Sequence, residues 1–179
     1  MHLTRCLKIL GCIALTLLSP TAEIGAASGP RAEADAILNS PKVDMSQAVR
    51  ALSLYEGALT RGDGPRATLL AHLSRTCFVL GELSPKPTRM GYYRQGQIYA
   101  ETLIREEPNR VEGHYWLALN LCGQADAGGN LLGRKLLPRI LEELKRALAL
   151  NETYDQAGAH RVLGRIYYEA PPLAPVRGR

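Results

Sequence analysis

Three short signatures, spaced almost evenly along the chain, constrain its fold more than any other feature. Each has a leucine, a small residue directly after it and a larger residue three positions further on: Leu73-Ser74-Cys77, Leu117-Ala118-Leu121 and Leu163-Gly164-Tyr167. At 3.6 residues per turn these positions share one helix face, and the small middle residue lets a neighbouring helix approach closely. Successive leucines are 44 and 46 residues apart. This spacing predicts a stack of helical hairpins.

Apolar residues at three- and four-residue steps extend around each signature, and prolines and glycines separate the periodic stretches. We therefore predict an all-α solenoid of about six main helices. The first begins at the N-cap residue Asp44 and the others cover about 65–81, 89–106, 111–122, from 138 onward, and 156–169. Ser84-Pro85-Lys86-Pro87 is predicted to be a stiff connector, and the glycine-rich stretch 123–134 a surface insertion. The last helix has no following helix to cover it, which predicts a missing C-terminal capping helix.

The two ends of the chain differ in composition from this helical domain, which we place at 44–170. Residues 1–27 have a basic start, a short apolar run and the small residues Gly25-Ala26-Ala27, which together are typical of a cleavable secretory signal. A lipid anchor at Cys12 is disfavoured because Leu10 is bulky where a small residue is usual. Residues 28–43 are interpreted as a lead-in segment with a short helix, and 171–179 as a tail rich in proline and arginine.

Composition excludes some classes of function. A hydrophobic content of 46% with 22% charged residues is that of a folded soluble domain rather than a disordered chain. The formal charge of +5 is mild, and no stripe of basic residues interleaved with aromatics argues for nucleic acid. Once the signal is removed, Cys77 and Cys122 remain; buried free thiols are favoured, and a disulfide stays open as the alternative.

No catalytic or metal-binding pattern is present. HExxH, CxxC, GxSxG and the P-loop are all absent from the sequence, so we predict neither an enzyme nor a cofactor or metal. His114 and His160 stand three residues before their signature leucines. We expect packing or a hydrogen bond to a turn there rather than ligation, because a third ligand is not apparent.

The candidate site is the side of the first helix of each hairpin that would line a groove. Counting from the signature leucines gives Arg75, Phe78, Tyr115, Leu119, Arg161, Arg165 and Tyr168. Guanidinium groups pair with carboxylates through two parallel hydrogen bonds, so this set suits a carboxylate-bearing ligand or an acidic peptide. Arginine and tyrosine are also common on solvated helix faces, so a purely structural interpretation stays open.

These signatures, the second of which follows a proline that ends the previous helix, Pro108, resemble the tetratricopeptide repeat (TPR) family, whose first helix carries such a pattern after a proline. Within it, the stretches 73–82, 108–120 and 157–167 resemble the T-component-like (TatT-like) periplasmic proteins of TRAP transporters, most specifically through His160-Arg161-Val162-Leu163-Gly164-Arg165-x-Tyr167. The resemblance implies an all-helical periplasmic accessory protein that meets a solute receptor and assists the uptake of small anionic solutes. Unlike those proteins, this chain passes into the proline- and arginine-rich tail.

The sequence is compatible with two functions. The first is an exported, periplasmic or secreted, non-enzymatic scaffold that binds a protein or peptide in its helix-lined groove, with no nucleic acid partner and no membrane span after signal cleavage. The alternative is the TRAP-associated accessory role, with a periplasmic solute receptor as partner. The uncovered last helix also predicts self-association or a partner at the C-terminal end.

Overall fold

The computed structural model of the chain describes residues 29–169, and within that range it contains six helices and no strand. The helices are α1 (Pro30–Leu38), α2 (Met45–Arg61), α3 (Arg66–Leu83), α4 (Lys86–Glu106), α5 (Val111–Leu150) and α6 (Tyr154–Glu169). The predicted all-α class with about six helices is confirmed. The predicted signal at 1–27 and tail at 171–179 lie outside the described residues.

The helices pack as consecutive hairpins, which is consistent with a solenoid-like arrangement. Helix α1 pairs with α2, and α3 pairs with α4. Helices α3 and α4 both pack against α5, which also contacts α6. Helix α1 lies inside the segment predicted as a lead-in, so α2 has a partner before it. Asp44 caps α2 as predicted: its carboxylate accepts the Gln47 backbone N–H, and the Gln47 side chain accepts the Asp44 backbone N–H.

Helix α5 bends back on itself at Gly129, where φ is 77° and ψ is −176°. The two halves, 111–128 and 130–150, are joined across the hairpin by a hydrogen bond of 2.6 Å between His114 Nδ1 and Glu143 Oε2. The predicted glycine-rich insertion at 123–134 is therefore wrong, since this stretch is helical except at its bend. Pro138 is likewise not in a first turn but inside the second half.

The predicted connector Ser84-Pro85-Lys86-Pro87 is shorter than expected, because α4 already begins at Lys86. Pro87 occupies the first turn of α4, where a backbone N–H has no partner within the helix, so proline is tolerated there. Arg89 Nη2 donates to the Ser84 carbonyl at 3.0 Å and ties the turn to the helix.

Two of the three signatures form the core as the spacing predicts. All members of the first two signatures are buried: Leu73, Ser74, Cys77, Leu117, Ala118 and Leu121. In the third, only Leu163 is buried, whereas Tyr167 is 45% exposed. The difference follows from packing, because α6 lies against α5 alone among the substantial helix contacts and buries one side of itself.

Close contacts between the helices depend on small residues facing a tyrosine. The buried ring of Tyr93, on α4, lies against Gly81 of α3 and Gly123 of α5, and a Cβ at either glycine would overlap the ring. The Tyr93 hydroxyl donates to Glu82 at 2.6 Å. One tyrosine thus fixes the separation of three helices, which explains glycines in helices where their intrinsic propensity is poor.

A buried polar network joins the same three helices deeper in the core. Asn120 Nδ2 lies 2.8 Å from the Trp116 carbonyl and 3.1 Å from Ser74 Oγ, which in turn donates to the Gly96 carbonyl at 2.8 Å. A Cβ at Gly96 would overlap the Asn120 amide. Because buried polar groups cost stability when unpaired, this network specifies how α3, α4 and α5 meet.

Candidate partner-binding site

The predicted site residues are distributed over three helices. Arg75 and Phe78 lie on α3, Tyr115 and Leu119 on the first half of α5, and Arg161, Arg165 and Tyr168 on α6. Tyr115 and Leu119 are buried, whereas Tyr168 is 90% exposed. Phe78 is half-buried and contacts Tyr93 and Trp116. The structure thus brings some of the set together and leaves Tyr168 on open surface.

Arg75 is the residue around which the site forms. Its Nη2 atom donates to the Leu38 carbonyl at 2.8 Å, at the end of α1, and its guanidinium carbon lies 5.9 Å from the centre of the Trp116 ring. Within residues 29–169 no carboxylate lies within 4 Å of this guanidinium, unlike those of Arg66 or Arg110. Arg75 is half-buried, and its Nη1 atom lies 3.5 Å from Asn39 Oδ1, so its hydrogen bonds within the described range go to neutral oxygens and not to carboxylates.

Aromatic side chains form the floor beneath Arg75. The Trp116 indole N–H donates to the Tyr154 hydroxyl at 3.1 Å, and the Tyr115 ring packs edge-on against both Trp116 and Tyr154. Trp116 is 8% exposed and is the only tryptophan of the chain. An arginine above an aromatic face keeps its orientation through the cation–π attraction while its N–H groups stay available for a ligand.

A second polar group lies beside Arg75, between α1 and α3. His72 Nδ1 is 3.2 Å from Asp35 Oδ1, and the same carboxylate accepts the Tyr55 hydroxyl at 2.6 Å. Burial lowers the pKa of His72, and Asp35 opposes that effect only in part. His72 is therefore mainly neutral near pH 7, and Arg75 is the principal positive charge at this place. We call the surface formed by Asp35, His72, Arg75, Trp116 and Tyr154 the Arg75 face.

The start of α6 closes one side of this site through an unusual turn. Asp155, Gln156 and Ala157 have positive φ values of 50°, 55° and 59°, a left-handed conformation that costs free energy in residues other than glycine. The Tyr115 hydroxyl donates to Asp155 Oδ2 at 2.5 Å, and burial together with this carboxylate raises the pKa of Tyr115. Arg161 donates to the Gln156 carbonyl and lies 3.5 Å from Asp155. Arg161 thus braces the turn of α6.

Four members of the Arg75 face were not among the predicted site residues. Asp35 was missed because α1 was interpreted as a lead-in segment, and Tyr154 because α6 was predicted to begin after it. His72 and Trp116 precede Leu73 and Leu117 directly. The position before the signature leucine was the signal that could have identified both.

Other features of the described chain are less suited to a ligand. A shallow cleft of about 500 Å³ lies between α4 and the second half of α5, and the ion pair of Glu101 with Arg139, 2.6 Å, occupies its rim. Both ring nitrogens of His114 have a hydrogen-bond partner: Nδ1 lies 2.6 Å from Glu143 Oε2, and Nε2 lies 2.9 Å from the Pro108 carbonyl. His114 therefore bonds a turn, as expected. Cys77 and Cys122 are free thiols. Between residues 29 and 169 no helix combines the length and apolarity needed to cross a bilayer.

Comparison with known proteins corrects the resemblance inferred from the signatures. A family model described as RMD1-3, Regulator of microtubule dynamics protein 1-3, matches residues 31–175, about four fifths of the chain. The predicted assignment to the TPR family, and within it to the TRAP T-component-like proteins, is therefore wrong. Signatures of a leucine, a small residue and a larger residue occur in closely packed helix pairs of many kinds, so they do not identify one family. No curated protein matches the chain. The chain belongs to the RMD1-3 family.

Proposed function

We propose that the chain is a non-enzymatic helical scaffold that binds a protein or peptide partner, and that the Arg75 face receives an acidic side chain of that partner. The observation that carries the proposal is the Arg75 guanidinium itself. It is held over Trp116 and by the Leu38 carbonyl, yet it has no carboxylate within 4 Å among residues 29–169. A fixed guanidinium with no carboxylate of the described range in direct contact is suited to a carboxylate that arrives from outside.

The aromatic floor supports a peptide more than an isolated anion. Tyr154 is half-exposed beside the charge and rests on the buried Trp116 ring, and aromatic residues with arginine dominate the binding energy of protein interfaces. Their rings are already positioned by mutual packing and by the indole hydrogen bond, so little side-chain freedom would be lost on binding.

The test uses two fluorescein-labelled peptides of equal length, one rich in glutamate and one rich in glutamine, titrated by fluorescence anisotropy. We expect the chain to bind the acidic peptide more tightly, and Arg75→Gln to weaken that binding by about tenfold, which is the effect of losing one charge-assisted pair. Arg75→Lys keeps the charge but loses the fork and should fall between the two.

The matched control is Arg94→Gln on α4, an exposed arginine that also has no carboxylate within 4 Å in the described range. It should bind the acidic peptide like the unaltered chain. Thermal melting of each variant separates lost binding from lost folding, since Arg75 also bonds Leu38. Equal affinity of the folded Arg75→Gln variant would reject the Arg75 face as the binding site.

The description of the family supplies a second partner to test. Because that description names regulation of microtubule dynamics, we include polymerised tubulin as a probe in a pelleting assay with the Arg75→Gln and Arg94→Gln variants. Export through the predicted signal at 1–27 is part of our proposal and favours a periplasmic or secreted partner instead. The N-terminal residue of the protein purified from its native cells decides between the compartments: Ser28 supports export, and an intact Met1 contradicts it.

A further inference from the structure

One edge of the stack combines basic and apolar side chains. The α3–α4 turn, the bend of α5 and the last turn of α6 lie along it, because Tyr93 contacts both Gly81 and Gly123 and because Ala125 of α5 and Ile166 of α6 pack against the same core cluster. We call this surface the turn edge. It carries Leu83, Lys86, Arg89, Leu131, Arg134, Lys135, Tyr167 and Tyr168.

The apolar side chains of the turn edge are unusually open. Leu131 is 86% exposed, Tyr168 is 90% exposed, and Leu83 and Tyr167 are 40% and 45% exposed. They are four of the six large hydrophobic residues that are exposed between residues 29 and 169. Large apolar side chains scattered singly need no explanation, but their concentration at one edge marks an interaction surface.

The charges of the turn edge differ from those of the opposite edge. Lys86, Arg89, Arg134 and Lys135 have no carboxylate within 4 Å in the part of the chain described. On the opposite edge Arg61, Arg66 and Arg110 each pair with a carboxylate, at 2.6 Å, 2.9 Å and 2.8 Å. The acidic residues Glu82, Asp126 and Glu169 lie in the same three segments. The four basic residues outnumber them, so the turn edge carries a small excess of positive charge beside open leucine and tyrosine side chains.

We propose that the turn edge docks on the surface of an anionic lipid bilayer. Basic residues beside exposed leucine and tyrosine are the combination that holds a protein in the interface of such a bilayer, with the apolar groups among the headgroups and the charges on the lipid phosphates. A nucleic acid would use the charges but would leave Leu83 and Leu131 in water.

The test is sedimentation with vesicles of phosphatidylcholine, with and without phosphatidylglycerol. We expect binding only to the anionic vesicles, and weaker binding at high salt. The double variant Arg134→Glu/Lys135→Glu should bind at least about tenfold less, since each basic residue contributes about fivefold at an anionic surface. Leu131→Ser should also weaken binding, and because it adds no charge it reports insertion alone.

The matched control is Arg105→Glu/Lys145→Glu, which makes the same change of charge toward the opposite edge. It should retain most of the vesicle binding, and none of these variants should alter the affinity for the acidic peptide. Failure of the unaltered chain to bind anionic vesicles would overturn the proposal. Equal losses of vesicle binding in the two double variants would also overturn it. The same holds if Leu131→Ser binds vesicles normally while the chain binds duplex DNA equally tightly. A stable dimer in light scattering that Leu131→Ser dissociates would show that the turn edge binds a second copy instead.

Discussion

At the scale of single residues, Arg75 and Arg161 lie on comparable sides of their helices but have different neighbours. Arg75 contacts a carbonyl and an indole ring, whereas Arg161 contacts Asp155 and the carbonyl of Gln156. Spacing along the sequence placed both residues on the predicted groove, but it carried no information about the left-handed turn that lies beside Arg161. Of these two arginines, only Arg75 has no carboxylate within 4 Å in the described range, and the proposed function follows from that difference.

The two thiols give a prediction at the same scale. Burial raises the pKa of Cys77 and of Cys122 to about 12, whereas an unfolded thiol titrates near 9. Above pH 9 the unfolded chain loses thiol protons that the folded chain keeps, so stability should fall between about pH 9 and 12. The expected slope is at most about 1.4 kcal/mol per pH unit for each thiol.

Urea unfolding between pH 8 and 11 measures this slope, and Cys77→Ala should make it shallower. Tyr55, Tyr93 and Tyr115 contribute in the same direction, because burial raises the pKa of each. Below pH 9 Cys77, which is fully buried, should not react with a thiol reagent until the chain unfolds, whereas the half-buried Cys122 should react slowly. Rapid labelling of Cys77 in the native protein at pH 8 would contradict its burial in the core.

At the scale of the elements, periodicity predicted the helices that begin and end at strong signals. Proline before α3, Pro108 after α4 and the apolar spacing within them gave bounds within a few residues of those observed. The prediction failed at α5, where glycines were interpreted as a loop. Gly123 lies within the helix, where the absence of a Cβ leaves room for the Tyr93 ring. Within α5 only Gly129 has non-helical backbone angles. Composition cannot separate these two uses of glycine, because the difference lies in what packs against each one.

The bend of α5 can be tested by substitution. Gly129 has φ 77° and ψ −176°, a region that is open essentially to glycine alone. Gly129→Ala should therefore lower the free energy of unfolding by about 1–3 kcal/mol. The control is Gly133→Ala, a helical position where the nearest atom would be 3.8 Å from the new Cβ, and it should be neutral or slightly stabilising. Equal effects of the two substitutions would contradict a bend at Gly129.

At the scale of the whole molecule, the all-α class and the hairpin order could be predicted because they depend on local periodicity. The Arg75 face could be predicted only in part. It combines side chains from α1, α3, α5 and α6, and the position of Asp35 beside His72 depends on how α1 packs. The signatures also could not identify the family, because closely packed helical hairpins occur in unrelated proteins.

The central claim, that a carboxylate from a partner binds at Arg75 above Trp116, is tested most directly by the indole signal of the only tryptophan. Its N–H bonds Tyr154 within the Arg75 face, so its ¹H–¹⁵N resonance reports that place alone. On titration with the glutamate-rich peptide we predict a saturable shift in the unaltered chain and a much smaller shift in Arg75→Gln at the same peptide concentrations. An indole resonance that stays fixed while the peptide binds, or that shifts equally in Arg75→Gln, would contradict the account.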